Sequence, residues 1–145
     1  MIESIDVVRL NPEATLPAFI RAGDAGMDLC ALEDCTIKPF ERLLIPTGIA
    51  LAIPDGFAGF VLPRSGNALK KGLGLANSPG LIDSNYRGEI KVLAVNLDPQ
   101  NDIHIKKGDR IAQLVIQKVE TFELREVSTL DETNRGAQGF GSSGN

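Results

Sequence analysis

The feature that most limits the fold of this chain is the regular punctuation of short apolar runs by proline and glycine. Thr36-Ile37, Leu43-Leu44-Ile45, Gly48 to Ile53 and Phe57 to Leu62 are rich in β-type residues. They are closed in turn by Pro39, Pro46, Pro54-Asp55-Gly56 and Pro63, and no helix-period segment interrupts them before residue 64. Ser4 to Leu10 alternates polar and apolar as a first strand should, while Asn11 to Phe19, with Pro12 and Pro17, reads as a loop. Glu89 to Leu97 and Arg110 to Val119 are the two most convincing strands. Many short strands in 145 residues fit one all-β sandwich or barrel with a core dominated by aliphatic side chains.

Charge and composition narrow the function. A net charge of −4 argues against a nucleic-acid polymer as partner, which needs a broad basic surface. A small anion can still be held by a few local Arg and Lys side chains. No apolar run is long enough for a membrane span, and Met1 to Asp6 has neither the basic start nor the hydrophobic block of a signal peptide. A cytoplasmic protein with no membrane partner is expected, with Cys30 and Cys35 as free, buried thiols. The single histidine, His104, lies between Ile103 and Ile105, which suits an outward strand position better than a zinc site or a Ser-His-Asp triad.

Gly72 to Lys91 is the stretch around which the chain is organised. Two short apolar segments flank Ser78-Pro79-Gly80 and end at the polar bend Ser84-Asn85, a pattern that predicts a β-hairpin. Asp83 and Tyr86 lie three apart across that bend, so a carboxylate and an aromatic ring can face one small pocket. The same residues also suit ordinary turn chemistry with a packed tyrosine.

Three further segments admit a functional reading beside a plain one. Arg64-Ser65-Gly66-Asn67-Ala68-Leu69-Lys70-Lys71-Gly72 predicts one or two helical turns with Ser65 as N-cap and Gly72 as left-handed stop. That is either a capped helix alone or an anion site made of N–H groups, the Ser65 hydroxyl and Arg64. Asp28, where a glycine-rich bend enters a strand, is either solvated or functional. Asp109-Arg110 is a turn entering a strand, and the two side chains could form a local ion pair. From Ser128 the chain is polar, and Arg135 to Gly144 is a glycine-serine tail carrying one Arg and one Phe. Such composition suits a disordered terminus, or a phosphate wrap in which Phe140 stacks on a base.

Five of these segments, in order, resemble the motifs of the homotrimeric dUTP pyrophosphatases (dUTPases). They are Ala25-Gly26-Met27-Asp28-Leu29, Pro63-Arg64-Ser65-Gly66, Gly80-Leu81-Ile82-Asp83-Ser84-Asn85-Tyr86-Arg87-Gly88, Gly108-Asp109-Arg110-Ile111-Ala112-Gln113-Leu114, and the tail from Arg135. Asn85 and Asn67 are less usual at their positions in these motifs. The resemblance implies an all-β distorted antiparallel barrel of jelly-roll type with one short helix. It also implies a homotrimer with sites between subunits: residues 1–127 would be the core, and residues 128–145 an arm closing over another subunit's site.

The reaction the resemblance implies is Mg2+-dependent hydrolysis of dUTP to dUMP and pyrophosphate, keeping dUTP low and supplying dUMP for thymidylate synthesis. Asp83 would activate the water that attacks the α-phosphorus and touch the sugar 3′-OH. Arg64, Ser65, Gly66, Gln113 and Arg135 would hold the phosphates, and Asp28 would meet the metal through water. Tyr86 would lie under the deoxyribose. Asn77 and the backbone of Gly80, Leu81, Ile82 and Asp83 would read uracil. Phe140, with Gly141 and Ser142, would close the lid, and Lys91 would contact the ligand. The rivals are a dCTP deaminase, a bifunctional deaminase/dUTPase, and a non-catalytic dUTP-binding regulator. The deaminases use a Glu proton shuttle and lack the Tyr floor.

Overall fold

A computed structural model describes residues 4–144, so Met1 to Glu3 and Asn145, which belong to the expected core and arm, lie outside it. Eleven strands and one helix follow in the order β1 (Asp6–Arg9), β2 (Met27–Cys30), β3 (Cys35–Ile37), β4 (Arg42–Pro46), β5 (Ile49–Ala52), β6 (Phe57–Leu62), α1 (Ser65–Lys71), β7 (Leu73–Leu75), β8 (Gly80–Ile82), β9 (Lys91–Asn96), β10 (Ile103–Ile105) and β11 (Arg110–Lys118). All strand pairs are antiparallel. They form a four-stranded sheet β2-β11-β6-β8, a three-stranded sheet β4-β9-β7, and the pairs β1-β5 and β3-β10. The sheets enclose one aliphatic core in which Ile37, Ile49, Val92 and Leu114 are fully buried.

Alternation explains most of this. In β9, Val92, Ala94 and Asn96 point inward while Lys91, Leu93 and Val95 point outward. In β11 a register shift between Arg110 and Ala112 turns the consecutive Ile111 and Ala112 both inward, after which Leu114 is buried between half-buried Gln113 and Val115. His104 is an outward position on β10, as expected, and shares a 3.1 Å hydrogen bond with Thr36 across the strand pair.

Two expectations are corrected. The segments on either side of Ser78-Pro79-Gly80 do not form a hairpin, because β7 pairs with β9 and β8 with β6 in a different sheet. Each is only three residues long and gains a six-residue partner by crossing between sheets. Ser65 is not the N-cap of α1 but its first residue. Arg64 occupies the cap in extended backbone and accepts the Ala68 N–H at 3.0 Å, with no side-chain cap. The helix ends as expected at Gly72, which is left-handed (φ +70°), and a Cβ there would lie 2.9 Å from the Asp98 nitrogen.

Cys30 and Cys35 are free thiols, half-buried rather than buried. The last strand ends at Lys118, and every residue from Glu120 to Gly144 except Gly139 is exposed in the single chain. No helix among the described residues is long and apolar enough to cross a membrane.

Candidate active site

The four-stranded sheet brings three distant segments together. Gln113 on β11 faces Asp28 on β2 across one edge and Leu62 on β6 across the other. The chain leaves β6 through Pro63 straight into Arg64 and the first turn of α1. Strand order therefore places Asp28, Arg64, Ser65, Gly66 and Gln113 around one polar cleft of about 870 Å3.

The centre of this cleft is Asp28, whose side chain is 16% exposed. Its Oδ1 lies 3.0 Å from the Arg64 Nε and its Oδ2 3.4 Å from the Arg110 Nη1. Arg110 also holds the helix start through its backbone, because its carbonyl accepts Asn67 Nδ2 at 2.9 Å and Arg64 Nη1 at 3.3 Å. Gln113 donates from Nε2 to the Pro63 carbonyl at 3.0 Å, which fixes the orientation of its amide. Arg21, Lys70 and Lys71 add cationic walls. Converging guanidinium and ammonium groups beside an uncapped helix start suit a multiply charged anion.

Asp83 and Tyr86 do face one pocket, as their spacing predicts. They line a second hollow of about 280 Å3 with Leu44, Leu81, Ile82, Glu89, Ile90 and Lys91. The bend between them is closed by Tyr86 N–H donating to the Asp83 carbonyl at 3.1 Å, and Arg87 Nη1 braces it on the Ser84 carbonyl at 2.6 Å. The Tyr86 hydroxyl donates to the Glu89 carbonyl at 2.8 Å. The ring packs over Gly88 so closely that a Cβ there would collide with the hydroxyl. Asn77 lies apart from this lining; its amide sits over buried Gly80, where a Cβ would come within 3.3 Å of Nδ2.

The two hollows share no residue, and neither is lined by the arm. Arg135 curls onto its own segment, its Nε donating to the Gln138 carbonyl at 2.8 Å. Phe140 is fully exposed with a left-handed backbone (φ +53°), and Gly141 and Ser142 form turns within the arm.

Among the described residues, no group of three or more His, Cys, Asp or Glu could hold a metal ion. The one acidic group of the polar cleft that faces Arg64 is already paired with two guanidiniums. Such a donor set makes no protein cage for Mg2+. It does fit an ion carried on phosphate oxygens that keeps part of its water, with a single carboxylate in reach.

The dUTPase family model matches residues 12–144. The chain belongs to the dUTPase family. It is 54% identical to the deoxyuridine 5′-triphosphate nucleotidohydrolase of Corynebacterium diphtheriae over 140 residues, covering 97% of this chain and 92% of that one. The protein of the same name from Corynebacterium glutamicum is 54% identical over 143 residues, 99% and 96% of the two chains. Among solved structures, the Staphylococcus bacteriophage 80alpha dUTPase with dUPNHPP superposes with a TM-score of 0.91 at 30% identity, covering 99% of each chain. A dUTPase of phage phi11 of S. aureus, described for its coordination of a structural Mg(II) ion, superposes at 0.81 with 27% identity over 88% of this chain and 98% of that one. The distorted jelly-roll fold expected from the motifs is therefore the observed one.

Several contributors escape a reading of the sequence. Arg110 looks like half of a local pair with Asp109, but Asp109 instead accepts the Lys106 N–H at 2.9 Å and Arg110 reaches back 82 residues to Asp28. Asn67, an unusual residue in its motif, is the tie between α1 and β11. Glu89 lines the Asp83 pocket and accepts the Gly48 N–H at 3.0 Å. Each is a polar residue whose partner is distant in sequence, so no local pattern marks its role.

Proposed function

We infer that this chain hydrolyses dUTP to dUMP and pyrophosphate, keeping dUTP low and supplying dUMP for thymidylate synthesis. The observation that carries the assignment of roles is the convergence of Asp83 and Tyr86 on one small pocket in a chain of this family. Asp83 positions and deprotonates the water that attacks the α-phosphorus, and its other contact is the sugar 3′-OH. A carboxylate is a weak base near neutral pH, so positioning and charge neutralisation supply much of the acceleration. Arg64, Ser65, Gly66, Gln113 and the arm's Arg135 hold the phosphates. The Ser65 hydroxyl, not used as a cap, is free to do so. Mg2+ carried by the substrate, met by Asp28 through water, would neutralise phosphate charge.

Selectivity follows from the small pocket. Tyr86 lies flat under the deoxyribose and leaves no space for a 2′-OH. The backbone from Gly80 to Asp83, with Asn77, reads the uracil edge, where cytosine would leave buried groups unpaired. Phe140, with Gly141 and Ser142, closes on the base from the opposite side, and Lys91 contacts the ligand.

The complete site is shared among three copies: one supplies the Arg64 cleft, another the Asp83 pocket, and another the arm of residues 128–145. Supporting this, the two hollows have no residue in common and the arm lines neither. We place the enzyme in the cytoplasm, where free Cys30 and Cys35 stay reduced.

Pyrophosphate release with Mg2+ from dUTP, dCTP, UTP and dTTP, with ammonia followed in the dCTP reaction, tests the reading. Release from dUTP alone supports it. Ammonia from dCTP assigns a deaminase, and silence in all four leaves a nucleotide binder.

A further inference from the structure

We propose that Glu89 is a positioning residue for Tyr86, fixing the ring on which rejection of a ribose 2′-OH depends; this rests on the role given to Tyr86 above. Tyr86 is 45% exposed, so packing alone does not hold its ring. Its place is set by polar contacts within one loop. The backbone N–H is tied to the Asp83 carbonyl, and the hydroxyl to the Glu89 carbonyl at 2.8 Å. With no Cβ on Gly88, the ring can fold back over the loop to reach that acceptor.

The latch is only as firm as the Glu89 carbonyl, and that carbonyl belongs to a segment fastened to the start of β5. Glu89 Oε2 accepts the N–H of Gly48 at 3.0 Å. The next residue, Ile90, donates to the Ile49 carbonyl at 2.8 Å, and its own carbonyl accepts the Thr47 hydroxyl. Thr47, Gly48, Ile49 and Ile90 are all buried, so this lacing is anchored in the core. The bonds of Ile90 fix the chain on one side of Glu89; its own carboxylate is the side-chain tie that fixes Glu89 itself. Among the described residues no Lys or Arg forms an ion pair with Glu89. Its carboxylate therefore serves as an acceptor for a buried N–H, a task that an amide oxygen can also perform.

Loss of that acceptor leaves the Gly48 N–H unpaired and releases the Glu89 backbone, and with it the hydroxyl end of Tyr86. A small retreat of the ring opens room beneath the sugar. Binding of dUTP needs contact with the ring, whereas UTP needs the ring out of the way, so the two substrates respond in opposite directions.

The test compares kcat/KM for dUTP and UTP in Glu89→Ala, Glu89→Gln, Tyr86→Phe and Tyr86→Ala. The dUTP-to-UTP ratio is independent of the fraction of folded enzyme, which separates positioning from stability. Glu89→Ala and Tyr86→Phe are expected to lower the ratio by about tenfold, Glu89→Gln to keep the parent ratio, and the Glu89→Ala/Tyr86→Phe pair to be no worse than the poorer single variant. A parent ratio in Glu89→Ala beside a lowered one in Tyr86→Phe overturns the proposal, as does Glu89→Gln behaving like Glu89→Ala. If Glu89→Ala does not fold, a parent ratio in Tyr86→Phe overturns the latch. A parent ratio in Tyr86→Ala instead removes the sugar-reading role of Tyr86 itself, a failure distinct from that of Glu89.

Discussion

Arg64 uses one guanidinium to bind two partners that lie on different strands: its Nε is 3.0 Å from Asp28 Oδ1 on β2, and its Nη1 is 3.3 Å from the Arg110 carbonyl on β11. The planar fork is aimed in this way before any ligand arrives. A lysine ammonium has no second, geometrically fixed donor to bridge both. Arg64→Lys, which keeps the charge, is therefore expected to lower kcat/KM for dUTP by about a hundredfold. Steady-state pyrophosphate release measures this; parent activity in Arg64→Lys would show that only the charge matters.

Asp83 stands at the mouth of the bend, exposed, with its backbone carbonyl engaged by Tyr86 and its carboxylate left free of any ion pair among the described residues. Asp83→Asn keeps the shape and removes the proposed base. It is expected to bind dUTP while losing about a hundredfold to ten-thousandfold in turnover. Isothermal titration beside single-turnover hydrolysis separates the two effects, and unchanged turnover would remove Asp83 from the base role.

Local features of the site are the ones the sequence discloses. Asp83 and Tyr86 are three residues apart around a Ser-Asn turn, so their shared pocket follows from turn geometry. Strands such as β9 and β11 are legible because alternation marks which side chains point inward. Alternation does not say which strand lies alongside, and this is why β7 and β8 look like a hairpin although they belong to separate sheets. The Arg110–Asp28 contact spans 82 residues and depends on a register shift that no local pattern signals. Ser65 shows a further limit: the residue type suits an N-cap, but the chain leaving β6 through Pro63 arrives at the helix one residue earlier.

Cys30 lies two residues from Asp28 on β2, and its thiol is pushed above the ordinary thiol range, mainly by burial and next by the Asp28 carboxylate. A raised folded-state value means fewer thiolates at a given pH than in the unfolded chain. Alkylation of Cys30 by iodoacetamide at pH 8 is thus expected to be slower in the native protein than in urea. The linked stability term is fully present below the unfolded thiol value, near 8.5, and is lost as pH rises through the folded one. Mass-spectrometric quantification of the Cys30 adduct over pH 7 to 10 checks the order, and equal native and unfolded rates would contradict it.

Among the described residues, the arm from Arg135 makes no hydrogen bond with the barrel: its partners, Thr133 and residues between Arg135 and Gly141, all lie within the arm or just before it. Phe140 buries nothing in the single chain. Removal of the chain from Arg135 onward should therefore leave melting temperature and assembly state unchanged, since no core contact is lost. Activity should nevertheless collapse, because Arg135 and Phe140 would no longer reach the phosphates and the base of a bound nucleotide. Thermal denaturation, sedimentation and pyrophosphate release on the same truncated preparation decide the matter. Retained turnover would sink the lid assignment, whereas a lower melting temperature would show that the arm also stabilises the fold or its assembly.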